Sequence, residues 1–173
     1  MDFPQEVIKE IARVQEILKN KKFTGKLTEI ENLHLTLKFL GEIDQQTLEK
    51  VKERLSSIKF PKIASFLDYT GTFTKRGNPN IVWIKVGGSD IPNLQKQIDE
   101  SLKNIFKPEE RFMSHLTIAR IKYVKDSKDF NTYIKNIKLP KIQFSIDNFK
   151  LKQSELNLLG PIYTTLNEYK FIL

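Results

Sequence analysis

The apolar positions of the chain follow two periods, one typical of helices and one typical of strands. Helical spacing, with apolar residues three and four apart, occurs in four segments, which are residues 5–19, 45–58, 91–105 and 127–137. Asp44 can cap the second of these helices, and Pro92 suits the first turn of the third. The pattern therefore predicts four helices, each with an apolar face turned towards a core.

Alternation of apolar and polar residues, or a high density of β-branched and aromatic residues, marks the predicted strands. They are residues 33–39, 62–74, 81–87, 113–124, 139–149 and 169–173. The first strand would place alternate residues from Leu33 to Phe39 on its apolar face and end at Gly41. The stretch "KRGNPN" has the composition of a tight turn, so the second and third strands should form a hairpin. The predicted fold class is α+β.

Both histidines of the chain, His34 and His115, lie in a predicted strand that is followed by a helix and another strand. This shared order suggests two related halves, with the histidines 81 residues apart. Because no Ser/Gly-rich linker separates the halves, residues 1–173 are expected to form a single bilobal domain whose lobes pack together.

The composition narrows the possible chemistry. The chain has no Cys, which excludes thiol nucleophiles, zinc–thiolate sites and iron–sulfur clusters. A formal net charge of +8 favours an anionic partner such as nucleic acid or a nucleotide, although a solvated Lys-rich surface would give the same charge. Because no apolar run approaches a membrane span and the first residues lack a signal pattern, we expect a cytoplasmic protein with no membrane association.

The two histidines share one local context, His-Leu-Thr followed by Leu or Ile. In a strand, residues two apart share a face, so His34 points the same way as Thr36, and His115 the same way as Thr117. The leucines between them point into the core. Each motif therefore mounts an imidazole and a hydroxyl side by side on a strand that is anchored in the core.

Two such motifs facing a shared cleft would supply the groups that metal-free phosphodiester chemistry needs. One imidazole can take a proton from an attacking water while the other gives a proton to the leaving oxygen. The two threonine hydroxyls can donate to phosphate oxygens without adding charge. A single histidine on a strand is more often structural, but the recurrence of the whole triplet favours a functional pair. Metal binding is the other alternative, although neither motif has a carboxylate within three residues on the same face.

The paired motifs resemble the signature of the two-histidine (2H) phosphoesterase superfamily. The stretches "ENLHLTLKFLGEI", "FMSHLTIARIK" and "LKQSELNLLGPIYTTL" are similar to the RNA 2′,3′-cyclic phosphodiesterase branch, historically called 2′-5′ RNA ligase. The resemblance implies two similar α+β lobes with pseudo-two-fold symmetry, whose antiparallel or mixed sheets face a central basic cleft with helices outside. It also implies hydrolysis of an RNA or nucleotide 2′,3′-cyclic phosphate to a 2′-phosphate without a metal or other cofactor. We expect the protein to be a monomer.

The same resemblance assigns roles to five residues. His34 would protonate the departing 3′ oxygen, and His115 would activate the water. Thr36 and Thr117 would hold phosphate oxygens, and Arg120 would bind phosphate or base. A regular strand would aim Arg120 away from the histidine face, so this role requires that the strand end or bulge near Ala119.

Four further residues are weaker candidates. Lys38 shares the face of His34 and would either contact a phosphate or be solvated at a strand end. Lys75 and Arg76 lie in the predicted hairpin turn and would contact an RNA backbone or form a plain surface turn. Tyr163 would lie at the mouth of the cleft or at a packing corner.

Two rival functions remain open at this point. The reverse reaction would join RNA ends through a 2′-5′ linkage, and it shares its transition state with hydrolysis. A protein that binds nucleic acid or nucleotides without turnover would keep the cleft and the charge but not the proton transfer.

Overall fold

The computed structural model describes residues 3–157 and 160–172. The helices are α1 (Gln5–Lys19), α2 (Gln45–Ser56), α3 (Ile91–Leu102) and α4 (Ser127–Lys135), and one 3-10 turn covers Ile30–Asn32. The strands are β1 (Thr24–Leu27), β2 (Ile63–Lys75), β3 (Asn78–Gly87), β4 (His115–Tyr123), β5 (Gln143–Ile146), β6 (Asn148–Asn157) and β7 (Gly160–Lys170). The predicted α+β class is confirmed, and all four predicted helices are present.

The described strands form two sheets of unequal size. Five strands pair antiparallel in the order β1-β4-β3-β2-β5, and β6 pairs antiparallel with β7 in a separate ribbon. The predicted β2–β3 hairpin is confirmed, and its turn residues Arg76 and Gly77 have φ values of 53° and 81°. The two sheets differ in strand number and so do not by themselves support two similar lobes. The pseudo-two-fold symmetry of the fold therefore remains a prediction.

The single strand predicted over residues 139–149 is wrong, because the chain changes sheets at Asp147. Ile146 ends β5 in the five-stranded sheet, and Asn148 begins β6 in the ribbon. Burial shifts by one position at this junction, since Ile146 is buried and the next buried residue is Phe149. The apparent alternation therefore joins two strands whose inward faces differ.

The last predicted strand, residues 169–173, is also placed incorrectly over residues 169–172, and residue 173 lies outside the described residues. The structure has the longer strand β7, and beyond it Ile172 forms an isolated parallel bridge with Pro61. The short strand β1 has no equivalent among the predicted strands. Its residue Gly25 allows close pairing with β4, because a Cβ there would collide with the carbonyl oxygen of Arg120.

Helices cover one face of the five-stranded sheet. On α4, the Ile134 carbonyl accepts a hydrogen bond from Thr70 Oγ1 of β2 at 2.5 Å, and Asn131 Oδ1 accepts one from Thr72 at 2.7 Å. Helix α1 contacts β4 on the same side. None of the helices in the described ranges combines the length and the apolar character that a membrane crossing needs.

Lys38 lies in a buried ion pair, which neither sequence interpretation of this residue anticipated. Its ammonium donates to Asp99 Oδ1 at 2.5 Å and to the Lys107 carbonyl at 2.7 Å. Asp99 Oδ2 accepts from Gln95 Nε2 at 2.6 Å and from the Glu109 amide at 2.8 Å. Burial raises the pKa of Asp99, but these hydrogen bonds outweigh it and lower the pKa below its ordinary value. The pair ties the segment after the first histidine to α3.

Candidate active site

The two histidine motifs lie side by side in the folded chain. Leu35 and Leu116, the central residues of the motifs, form an antiparallel bridge and are both buried. In an antiparallel pair the flanking residues meet in reverse order, so His34 lies opposite Thr117. By the same rule the hydroxyl of the first motif lies beside the imidazole of the second. A local two-fold axis through the leucine pair thus exchanges the two motifs.

This register sets the distance between the two imidazole-bearing residues. His34 and His115 are diagonal neighbours across the pair, a relation that separates residues by roughly 7–8 Å. Both alternate with a buried leucine and are themselves partly exposed. A separation of this size is compatible with one small anion between the two imidazoles.

The first motif is not on a regular strand, which corrects the prediction for residues 33–39. Within the described chain this segment has only the bridge at Leu35. Alternation fails further along, because the Lys38 side chain turns inward to its ion pair and Phe39 is 81% exposed. Thr36 remains on the exposed side, as predicted.

Both imidazoles are oriented by the same kind of hydrogen bond. Nδ1 of His34 lies 2.7 Å from the Asn32 carbonyl oxygen, and Nδ1 of His115 lies 2.7 Å from the Met113 carbonyl oxygen. A carbonyl can only accept, so each Nδ1 carries the proton and donates it. In the neutral ring Nε2 is then the basic nitrogen, which suits it to accept a proton.

Each imidazole also contacts one aromatic ring. Tyr163 of β7 meets His34 at a centroid distance of 4.7 Å and an interplanar angle of 63°. Phe73 of β2 meets His115 at 4.9 Å and 84°. Both contacts are edge-to-face, so each histidine ring has a carbonyl on one nitrogen and an aromatic wall beside it. Tyr163 thus belongs to the site and is not only a packing corner.

A β-bulge interrupts β4 just after the second motif. Thr117 pairs with Trp83 of β3, and Ala119 pairs with the adjacent residue Val82, so Ile118 is an extra residue on β4. The bulge lies next to Ala119, where the role of Arg120 inferred from the sequence required one.

The bulge reverses the inside–outside alternation of the strand. Ile118 and Ala119 are both buried, and Arg120 is exposed. Arg120 therefore returns to the face that carries His115 and Thr117, which meets the condition on its placement. The guanidinium is also near enough to act on the pKa of the first histidine.

Gln15 of α1 holds the bulge from the helical side of the sheet. Its Nε2 donates to the Ile118 carbonyl at 2.9 Å and to the Thr28 carbonyl at 2.7 Å. The Thr28 amide donates to the same Ile118 carbonyl at 2.9 Å. Gln15 is only 5% exposed, and its bond to the Ile118 carbonyl is buried, so this side chain satisfies polar groups in the interior.

The electrostatic environment favours the neutral form of His34. Burial is the largest cause that lowers its pKa, and the positive charges of Lys152 and Arg120 lower it further. The hydrogen bond to the Asn32 carbonyl acts in the opposite direction and is outweighed. An anion bound between the histidines would offset the two positive charges and raise this pKa.

The remaining candidates lie outside this group of contacts. Lys75 and Arg76 are exposed at the tip of the β2–β3 hairpin. Among the described residues no three His, Asp or Glu side chains are grouped closely enough to hold a metal ion. The groups assembled here are thus two imidazoles, two hydroxyls and a guanidinium, a set able to bind an anion and to transfer protons.

The sequence matches the family described as LigT like Phosphoesterase over residues 2–83 and 87–163. Both histidine motifs lie within these matched ranges. The chain belongs to the LigT-like phosphoesterase family. The resemblance to two-histidine phosphoesterases inferred from the paired motifs is thereby confirmed.

Curated relatives of this LigT-like phosphoesterase extend over almost its whole length. A Methanocaldococcus jannaschii protein named RNA 2′,3′-cyclic phosphodiesterase is 37% identical over 171 residues, which are 98% of this chain and 96% of the relative. A Thermotoga maritima protein of the same name is 33% identical over 175 residues, covering 99% of this chain and 92% of the relative.

Solved structures agree with the LigT-like fold. The protein TT0787 of Thermus thermophilus matches with a TM-score of 0.80 at 23% identity, covering 98% of this chain and 93% of that chain. E. coli LigT complexed with 3′-AMP matches with a TM-score of 0.73 at 20% identity, covering 100% of this chain and 95% of that chain. At these identities the likeness concerns the fold, an α+β arrangement with a curled antiparallel half-barrel sheet.

Two residues of the LigT-like site are not among the sequence-predicted candidates. Phe73 lies in a strand among other apolar residues, so the sequence pattern alone does not distinguish it from a core residue. Gln15 leaves a detectable signal, because it occupies the apolar stripe of α1 between Ile11 and Leu18. A polar residue in such a stripe indicates a buried hydrogen bond.

Replacing Gln15 by Leu tests whether it holds the bulge. The variant leaves the partly buried Thr28 carbonyl without its side-chain donor and is expected to lose about 1–3 kcal/mol of unfolding free energy. The Thr28 amide, bonded to the Ile118 carbonyl, should also exchange its hydrogen faster. Urea denaturation and amide exchange measure these effects. Gln97→Leu, at an exposed position of α3, is the matched control; equal stability of both variants would contradict the role of Gln15.

Proposed function

We propose that this LigT-like phosphoesterase hydrolyses RNA 2′,3′-cyclic phosphate ends to 2′-phosphates. The observation that carries the proposal is the antiparallel pairing of Leu35 with Leu116, which supports one site between two imidazole–hydroxyl pairs. The names of the full-length relatives support the same substrate. Because both motifs belong to one polypeptide, the proposed site needs only a monomer. We also propose that the enzyme acts in the cytoplasm.

The phosphate is proposed to lie over the leucine pair, where the two motifs meet. Thr36 and Thr117 donate hydrogen bonds to its non-bridging oxygens. Arg120, brought to this face by the bulge, adds the positive charge that a phosphate anion attracts. In this arrangement the local two-fold axis passes near the phosphorus atom and forms the centre of the two-lobed cleft.

Proton transfer is assigned to the Nε2 atoms of the two histidines. His115 takes a proton from water as the water oxygen bonds to phosphorus, and the bond from phosphorus to the 3′ oxygen breaks. His34 gives a proton to that 3′ oxygen, which leaves a 3′ hydroxyl and a 2′-phosphate. Each imidazolium that forms is stabilised through its Nδ1 hydrogen bond to a backbone carbonyl. No step uses a metal or a nucleotide cofactor.

The acid role of His34 depends on the substrate. In the free protein, burial and the charges of Lys152 and Arg120 lower the pKa of His34, so its protonated form is disfavoured. A cyclic phosphate carries a negative charge, and its binding raises the pKa of a neighbouring imidazole. His34 would therefore be protonated mainly when substrate is bound, which links acid catalysis to occupancy of the site.

Hydrolysis and its dependence on the histidines can be tested together. A short RNA ending in a 2′,3′-cyclic phosphate, incubated with the protein in EDTA, should yield a 2′-phosphate. His34→Ala and His115→Ala should each lower kcat by about 100-fold or more, since general acid–base catalysis contributes that much. RNA affinity should stay within a few fold of the wild-type value.

Three outcomes would contradict this account. Absence of product with the wild-type protein leaves a binding function only. Near-normal turnover by either histidine variant removes that residue from the proton transfer. Accumulation of a 2′-5′ joined RNA in place of the 2′-phosphate would favour the reverse reaction.

The pH profile of a Lys152→Met variant tests whether His34 acts as the general acid or as the general base. Loss of this positive charge raises the pKa of His34. If His34 is the acid, it must be protonated to act, so activity is lost as the pH rises above its pKa. The higher pKa in the variant should therefore move the alkaline limb of kcat/KM to higher pH. The exposed α3 residue Lys96, changed to Met, is the control and should leave both limbs unchanged. Movement of the acidic limb instead would make His34 the base.

A further inference from the structure

The face of the sheet that carries the second motif continues across two neighbouring strands. His115 pairs with Lys85 of β3, and Thr117 pairs with Trp83 of the same strand. Trp83 in turn pairs with Gly71 of β2. Directly paired residues share a face of a sheet, so Trp83 and Gly71 extend the surface on which the imidazole lies.

A row of aromatic rings runs along this extended face. Phe73, which contacts the His115 ring, lies 5.4 Å from the Trp83 ring, and Tyr69 lies 5.7 Å from Trp83 on its other side. Gly71 makes the row possible, because a Cβ at that position would collide with the Trp83 indole. The rings therefore form a continuous path from the imidazole to Tyr69.

The outer end of this row is open to solvent. Strand β2 has one more residue than β3 between Leu67 and Thr70, so Asp68 and Tyr69 both lie opposite Lys85. Tyr69, at this bulge, is 49% exposed, whereas its neighbour Trp83 is 7% exposed. Tyr69 is thus a large ring that is supported from one side and free on the other.

Packing alone does not account for a tryptophan at position 83. Its Nε1 is buried and has no hydrogen-bond partner among the described residues. A Phe or Leu would fill apolar space without leaving a buried donor unsatisfied. The Trp83 ring supports an exposed tyrosine, and Lys85, whose ammonium donates to Ser114 Oγ at 3.0 Å, lies one strand from that tyrosine. Aromatic rings next to positive charge are typical of surfaces that bind single-stranded nucleic acid.

We propose that Tyr69 is the stacking platform for a base at the RNA end whose cyclic phosphate occupies the histidine pair. Trp83 supports the Tyr69 ring, Phe73 packs against Trp83, and Lys85 lies between the platform and His115 in the register of the sheet. The distance from β4 to β2 is two strand spacings, roughly 10 Å, which is within reach of a base on the terminal nucleotides. This inference rests on the proposed function, because that function brings the RNA end to the histidines.

The stacking contribution sets the size of the expected effect. Removal of one aromatic partner from a stacked base weakens binding by about 5- to 150-fold. The effect must depend on the base and not on the sugar–phosphate backbone. It must also persist when Phe replaces Tyr, because the ring and not the hydroxyl carries the stacking.

Trp83 is the only tryptophan of the chain, so its fluorescence reports on this face directly. The probe is a three-nucleotide RNA that ends in a 2′-phosphate, which the enzyme cannot turn over, and the same backbone without bases serves as comparison. Base-bearing RNA should quench Trp83 in the wild-type protein. Tyr69→Ala should bind this RNA about 5- to 150-fold more weakly than the wild type does. It should bind the base-free backbone with the same affinity as the wild type. Tyr69→Phe should bind both probes as the wild type does.

Tyr133→Ala is the matched control. Tyr133 belongs to α4, which covers the other face of the sheet, and its hydroxyl donates to the Ile17 carbonyl of α1, so its removal should change neither affinity. The proposal is overturned if Tyr69→Ala binds base-bearing RNA as the wild type does, or if it loses equal affinity for the base-free backbone. A failure of the proposed hydrolysis would appear instead as absent turnover by the wild-type protein, which this binding measurement does not require.

Discussion

Leu35 and Leu116 meet in a single antiparallel bridge, and the site depends on this contact. Both side chains are buried, so the bridge belongs to the hydrophobic core, while the residues on either side of each leucine face outwards. Antiparallel pairing then places each imidazole beside the hydroxyl of the other motif. The symmetry of the site thus arises from one local pair of residues and does not require equal sheets around it.

The rest of the structure makes this symmetric centre unequal. His34 belongs to a segment with one bridge and is desolvated near Lys152 and Arg120, which lowers its pKa. His115 lies on strand β4, which pairs continuously with β3 around this residue and whose bulge brings Arg120 to the same face. Charge is therefore distributed unevenly around two similarly held imidazoles, and such inequality allows one to act as acid and the other as base.

Local sequence patterns predict the helices, the β2–β3 hairpin and the faces of the two motifs, because these depend on neighbours in the chain. The failures depend on partners distant in sequence. Residues 33–39 lose their alternation because Lys38 forms an ion pair with Asp99 on α3. The strand predicted over residues 139–149 is two strands, because its two halves belong to different sheets. The position of Arg120 could be predicted only conditionally, since a bulge is a property of two strands and of the groups that satisfy it.

NMR of the two histidine rings can establish whether both imidazoles face one anion. The chain contains only these two histidines, so their ring resonances can be followed during titration with inorganic phosphate. We expect His34 and His115 to respond together, with one shared dissociation constant. A response from one ring alone, or two unrelated dissociation constants, would contradict it.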